Sequence, residues 1–391
     1  MFVRTLFKLM ADSQASDLFF TAGAPVQIKI KGEVVPVDAK ILDAPTMKKI
    51  AYETMNEEQI ARFEQDMEIN FSLGESGVGS FRVNIFRQRG ACGIVIRHIK
   101  AEIPSIESLN LPQTLKDVVM EKRGLVLVVG STGSGKSSTL AAMINHRNHT
   151  QSGHILTIED PIEFMYKHAK SIVNQREVGI DTRSYQHALV NAMREAPDVI
   201  MIGECRDRET FGAALQYAQT GHLCLSTIHA NNSYYALSRV INFFPHDARN
   251  SLLMDLSVSL KAVISQRLVQ DMSGEIVPAV ELMLNTQHIQ ELIKNGELDR
   301  IKEAMEQSLA PGSQTFEQAL FRLYQSGRIT LDEAMGGSDS PTNLHWLINN
   351  AAKTSPGSSA ASPGSAQPSA QRPLAPSEDL SSIKLNLDAL G

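Results

Sequence analysis

Residues 130–137, GSTGSGKS, set three glycines, a lysine and hydroxyl side chains in the spacing GxxxxGK[ST], after the apolar run LVLVV and before the helix-forming TLAAMINHR. Those residue types suit a polyphosphate. Backbone N–H groups of a glycine-rich loop point inward and cradle phosphate oxygens, helped by the positive end of the helix that follows. The expected nucleotide-binding set is Gly130, Ser131, Thr132, Gly133, Ser134, Gly135, Lys136, Ser137 and Ser138. In it Lys136 would pair with the β and γ phosphates of ATP, and the Ser137 hydroxyl would bind Mg2+.

Binding alone does not cleave a phosphate, so the acids that could face it matter next. LTIEDPIEF, residues 156–164, ends an apolar run in Glu159, Asp160 and Glu163, with Pro161 stopping the strand. DVIMIGECRD, residues 198–207, ends another run in Glu204, but a glycine stands before it where most phosphate-loop ATPases carry an aspartate. STIHANN, residues 226–232, ends a further run in His229. Taken singly, each acid reads as a solvated strand end or a partner for Arg206 or Arg208. Together, downstream of a phosphate loop, they point to function, because open parallel sheets place ligands beyond the carboxyl ends of their strands.

These residues need a sheet to hold them. From about 113 to 235 the chain alternates short apolar strands with helical stretches, the α/β pattern of a mostly parallel sheet, and residues 236–335 read as almost wholly helical. The first hundred residues differ. Alternation at 26–37 and 80–99 reads as antiparallel hairpins around helical residues 45–65, an α+β unit. The expected organisation is therefore a domain at 1–100, a linker at 101–112 with two prolines, an ATPase domain at 113–350 and a tail at 351–391. Ser, Ala, Pro and Gly dominate that tail, so it is expected to be disordered, with Ile383, Leu385 and Leu387 as a final alternating stretch.

A net charge of -6 and a pI near 6.0 argue against a general nucleic-acid binder. Cys92, Cys205 and Cys224 form no CxxC pair, so no zinc site is signalled, and reduced thiols in a cytoplasmic protein are expected. The apolar N-terminus is broken by Arg4 and Lys8 and reads as a surface helix rather than a signal peptide, and no apolar run is long enough to span a membrane.

The four motifs, in this order, resemble those of the secretion ATPases of type II and type IV pilus systems, and within them the PilT group of pilus retraction ATPases. GSTGSGKS is similar to the family's Walker A motif, LTIEDPIEF to its aspartate box, DVIMIGECRD to its atypical Walker B and STIHANN to its histidine box. The resemblance covers roughly residues 1–335. It implies a PAS-like N-terminal domain joined to a RecA-like phosphate-loop ATPase domain, assembled as a homo-hexamer. It also implies roles: Glu163 as the general base for water, Glu204 in support of magnesium, His229 as the sensor of the γ-phosphate, and Arg82 and Arg97 as N-domain arginines that reach the phosphates.

The match weakens near the end. Where the family carries an Ala-Ile-Arg motif, this chain has His288-Ile289-Gln290, and it continues through TNLHWLINN, whose Leu344, Trp346 and Ile348 could pack on a neighbour. These departures are similar to the accessory PilU branch. They imply a retraction motor subunit that works with a PilT-like partner ATPase and an inner-membrane pilus platform protein, cytoplasmic but peripheral to that membrane. Two alternatives stand beside it. One is a pilus extension or secretion assembly ATPase, a group that usually carries further N-terminal domains and a four-cysteine zinc insertion. The other is a regulatory nucleotide-binding scaffold with little turnover.

Overall fold

The computed structural model describes residues 2–354 apart from 31, 76, 100 and 101; the tail expected beyond 354, with Ile383, Leu385 and Leu387, lies outside the described residues. Two compact units divide the chain, the first ending by residue 101 and the second beginning at Glu102.

In the first unit, helix α1 (Phe2–Asp12) carries Val3, Leu6, Phe7 and Met10 at helical spacing, and all four are buried. Strands β1 (Asp17–Phe20), β2 (Gln27–Ile30) and β3 (Glu33–Pro36) follow. Helix α2 (Ala44–Thr54) is capped by Asp43 and α3 (Glu57–Asp66) by an Asn56–Gln59 capping box. Strands β4 (Glu68–Glu75), β5 (Gly79–Gln88) and β6 (Ala91–Ile99) complete an antiparallel sheet in the order β3-β2-β1-β6-β5-β4. Arg89 and Gly90 both take left-handed backbone angles, φ 49° and 78°, which matches a two-residue hairpin turn. Period-two alternation buries Phe81, Val83 and Ile85 of β5 and Ile94 and Ile96 of β6 under the helices, with Phe7 stacked on Phe81. The opposite face carries Arg82 and Arg97.

The second unit begins to pack before its first helix. Ile106 and Leu111, in the stretch expected as linker, are buried in its core. Helix α4 (Thr114–Val119) leads to β7 (Gly124–Val129), then α5 (Lys136–Thr150), β8 (Gly153–Glu159), β9 (Ser171–Glu177), α6 (Tyr185–Ala192), β10 (Val199–Ile202), α7 (Arg208–Gln219), β11 (Leu223–Ile228), α8 (Ser233–Asn242) and α9 (Arg249–Ser259). Next come β12 (Leu260–Gln270), β13 (Ile276–Leu284), α10 (Gln287–Asn295), α11 (Ile301–Glu306), α12 (Phe316–Gln325), α13 (Leu331–Gly337) and α14 (Pro341–Thr354). The sheet runs β13-β12-β7-β11-β10-β8-β9, parallel throughout except for the β12–β13 pair.

Residues of β7, β10 and β11 are buried on both faces, as expected of central parallel strands. Leu125, Leu127 and Val129 face one core, with α6 to α10; Val126 and Val128 face the other, with α4 and α5. A register irregularity between Leu260 and Ala262 lets Leu260 share the first core with Val263, while Ala262 and Ile264 join the second.

Two expectations are corrected. Residues 236–335 are not wholly helical, because β12 and β13 form an antiparallel pair at the sheet's edge, where Pro278 is tolerated. Leu344 packs on its own chain, fully buried beside Phe316 and Leu320 with Ile348 against the same cluster, while Trp346 stays 65% exposed. No helix among the described residues is long and apolar enough to cross a membrane.

Candidate active site

The four motifs lie at the carboxyl ends of four neighbouring parallel strands, β7, β11, β10 and β8. The phosphate loop follows β7. Gly130, Gly133 and Gly135 have φ of 158°, 81° and 86°, and α5 starts at Lys136 directly after Gly135. A Cβ at position 130 would collide with Ser134 Oγ and come within 2.7 Å of the Gln266 carbonyl oxygen; at 135 it would come within 2.7 Å of Gln266 Nε2. The loop therefore lies closely against β12. Gln266 Oε1 also accepts from the buried Thr139 hydroxyl at 2.5 Å.

Lys136 is 8% exposed, and its ammonium donates to the carbonyls of Gly130 at 3.0 Å and Ser131 at 2.7 Å. Burial lowers its pKa, against the pull of Glu204 and then Glu163, which share the site with it. Ser137 and Ser138 are half-buried in the first turn of α5, while Ser131, Thr132 and Gly133 are exposed at the loop's crest. Among the described residues the buried Ser134 hydroxyl has no hydrogen-bond partner. A glycine-lined cradle, a lysine at its base and helical N–H groups fit a nucleotide's phosphates in size and charge.

Glu204 follows β10. Its Oε2 lies 2.8 Å from the Arg206 guanidinium and its Oε1 3.3 Å from His229 Nε2, at the end of β11. Burial, then the charge of Lys136, lowers the His229 pKa despite Glu204, so the neutral imidazole is favoured. The glycine before Glu204 has a steric cause: a Cβ there would lie 2.9 Å from the Tyr185 hydroxyl and 3.4 Å from Glu159 Cα. The Gly203 N–H meets the Ile158 carbonyl at 2.8 Å, so β8 closes over this position.

The acidic loop after β8 divides its carboxylates. Glu159 is buried, its Oε1 accepting from Thr157 Oγ1 at 2.6 Å and Gln175 Nε2 at 3.2 Å, and burial pushes its pKa up to about 7. Its carboxylate also accepts from the Glu163 backbone N–H. Glu163 itself is exposed. The loop is held from β9: Gln175 donates to the Phe164 carbonyl at 2.8 Å and accepts from Tyr166 N–H at 2.9 Å, and Glu177 accepts from Ile162 N–H at 3.2 Å.

Lys136, Glu163, Glu204 and His229 are thus gathered in one place. Arg82 and Arg97 belong to the first unit, where they sit opposite each other on β5 and β6, and Arg97 Nε is 2.8 Å from Asp17. Sequence reasoning missed Gln266, Thr139, Gln175 and Glu177. The signal for the first was the β-branched pair Val263-Ile264 just before it. Gln290, the last residue of His288-Ile289-Gln290, donates to the Asn285 carbonyl at 3.2 Å at the start of α10.

The model of the family described as type II/IV secretion system protein matches residues 2–294. The type IV pilus ATPase PilU of Pseudomonas aeruginosa is 47% identical over 344 residues, 88% of this chain and 90% of that one. PilT of the same organism, a type IV pilus retraction ATPase, is 39% identical over 342 residues, 88% of this chain and 99% of its own. A crystal structure of the pilus retraction motor PilT with bound ADP superposes with a TM-score of 0.83 at 41% identity, covering 88% of this chain and 99% of that one. With its phosphate loop, strand-end acids and histidine in one cluster, the chain belongs to the type II/IV secretion system protein family and is an ATPase of the PilU and PilT kind.

Proposed function

We propose that this chain is an ATP-hydrolysing motor subunit of type IV pilus retraction and twitching motility, working as a homo-hexamer with a PilT-like partner ATPase. It would act from the cytoplasm on an inner-membrane pilus platform protein. The observation that carries the reading is the convergence of Lys136, Glu204 and His229 at adjacent strand ends in a chain so similar to PilU.

In this reading the loop amides and Lys136 hold the β and γ phosphates, and Ser137 and Glu204 hold magnesium, which would neutralise phosphate charge there. Glu163 is exposed on a loop fixed by Glu159, Gln175 and Glu177, a placement that suits orienting or activating a water. His229, beside Glu204, would respond to the γ-phosphate. Arg82 and Arg97 would bring positive charge from a PAS-like first domain to a RecA-like second; the six-stranded antiparallel sheet with helices on one face supports the former name. Electrostatic stabilisation of the transferring phosphoryl group is then the main catalytic contribution.

Steady-state ATP hydrolysis of the purified protein tests this. Lys136→Ala and Glu204→Ala should each lower kcat by about a hundredfold or more, and pilus retraction in cells should fall in parallel when the partner ATPase is present. The scaffold alternative, kept in view by His288-Ile289-Gln290, takes over if the wild type does not hydrolyse ATP and both variants restore retraction equally.

A further inference from the structure

The loop that carries His229 is held by β12 and by the α13–α14 junction. Arg267 of β12 donates from Nη1 to the Gly337 carbonyl at 2.7 Å and from Nη2 to the Asn231 carbonyl at 3.2 Å, and the same Nη2 pairs with Asp339 Oδ1. Its guanidinium lies 4.1 Å over the ring of Phe316 in α12. The other Asp339 oxygen accepts from Asn232 Nδ2 at 2.9 Å, while Asn232 Oδ1 caps α8 through Tyr235 N–H at 3.1 Å. One residue on, Ser233 gives its N–H and its hydroxyl to the buried Glu281 carboxylate at 2.9 and 2.7 Å, and Ser265 Oγ joins at 3.1 Å.

The far side of the clamp is fixed as well. Ser338 and Ser340, flanking Asp339, both donate to Glu317 Oε1 of α12, at 3.3 and 2.8 Å, and Lys302 Nζ lies 3.0 Å from the same oxygen. Asp339 is therefore not a loose surface acid. Exposed pairs contribute little when both side chains are mobile. This pair is stacked, multidentate and anchored at both ends, conditions under which a network holds geometry.

We infer that Arg267 and Asp339 are positioning residues for His229: through Asn231 and Asn232 they make the histidine's placement depend on the C-terminal helices α12–α14. The inference rests on the reading that His229 faces the nucleotide. A partner or chain segment that shifts the α13–α14 junction would then change turnover without touching the phosphate loop.

The test uses the full chain, with Arg267→Lys, Arg267→Ala, Asp339→Ala and the Ala/Ala double variant. Arg300→Ala, which breaks a remote surface pair with Glu297, is the control. Asp339→Ala should lower kcat about tenfold with KM for ATP within about twofold, and the double variant should be no worse than the poorer single one. Hydrogen exchange of residues 229–233 in nucleotide-free protein should quicken about tenfold in Asp339→Ala and measurably in the milder Arg267→Lys, with β7 unchanged and the control silent. An active wild type whose kcat survives Asp339→Ala, losses that multiply in the double variant, or unaltered exchange at 229–233 overturns the inference. A wild type without hydrolysis sinks the proposed function alone, because the exchange measurement reads the clamp independently.

Discussion

A methyl group at position 203 would meet the Tyr185 hydroxyl at 2.9 Å with the β8 strand end close behind it. Size, rather than backbone freedom, therefore keeps a glycine there, and the site has a single acid, Glu204, at the end of β10. Gly203→Ala should push either Tyr185 or Glu204 aside, destabilising the protein by about 1–2 kcal/mol and lowering kcat. Adding Tyr185→Phe removes the oxygen that obstructs the methyl. The double variant should recover most of both losses in thermal unfolding and ATP hydrolysis; if it recovers neither, the tyrosine is not what excludes the side chain. At this scale the sequence was informative about Lys136, Glu204 and His229, which could be named from motif and strand-end position, whereas Glu163 was set apart from Glu159 and Asp160 only by the family resemblance. What it could not show was which acid is buried: Glu159 and Glu163 look alike in LTIEDPIEF, yet one is enclosed by Thr157 and Gln175 and the other is exposed.

Among the elements, β9 does more than close an edge. Its Gln175 makes three hydrogen bonds across the acidic loop, to Glu159, Phe164 and Tyr166. Gln175→Ala should loosen Glu163 and lower kcat about tenfold while Tm falls only a few degrees; unchanged kcat would show that the loop keeps its shape without β9. Strands β7, β8, β10 and β11 were legible because buried parallel strands read as continuous apolar runs. The polar SIVNQRE of β9 gives no such run. Strand β12 was misread for another reason: α9 ends at Ser259 and β12 begins at Leu260, with no Gly or Pro to mark the change from helix to strand.

On the scale of the molecule, each compact unit has an apolar core of its own, one built around Phe81 and Ile94, the other around the two faces of β7. Such units fold separately as a rule. Residues 102–354 expressed alone should therefore unfold cooperatively and bind ADP within about tenfold of the full chain's affinity. A fragment that is unfolded by circular dichroism would refute this. If Arg82 and Arg97 serve the phosphates as proposed, hydrolysis by the fragment should be far weaker than by the whole.

The irregularity at Leu260 and Ala262 has a further effect. Successive side chains of a strand point to opposite faces, so every residue of β12 beyond that point has its side assigned by a single skipped pairing. Even positions after it, Ile264 and Gln266, turn to the α5 side and the phosphate loop; odd ones, Ser265, Arg267 and Val269, turn to Glu281, Asp339 and Phe316. The strand thus works like a two-sided comb whose phase is set at its root. Adding or removing one residue there would interchange the two rows, sending glutamine to the helices and arginine toward the phosphate loop.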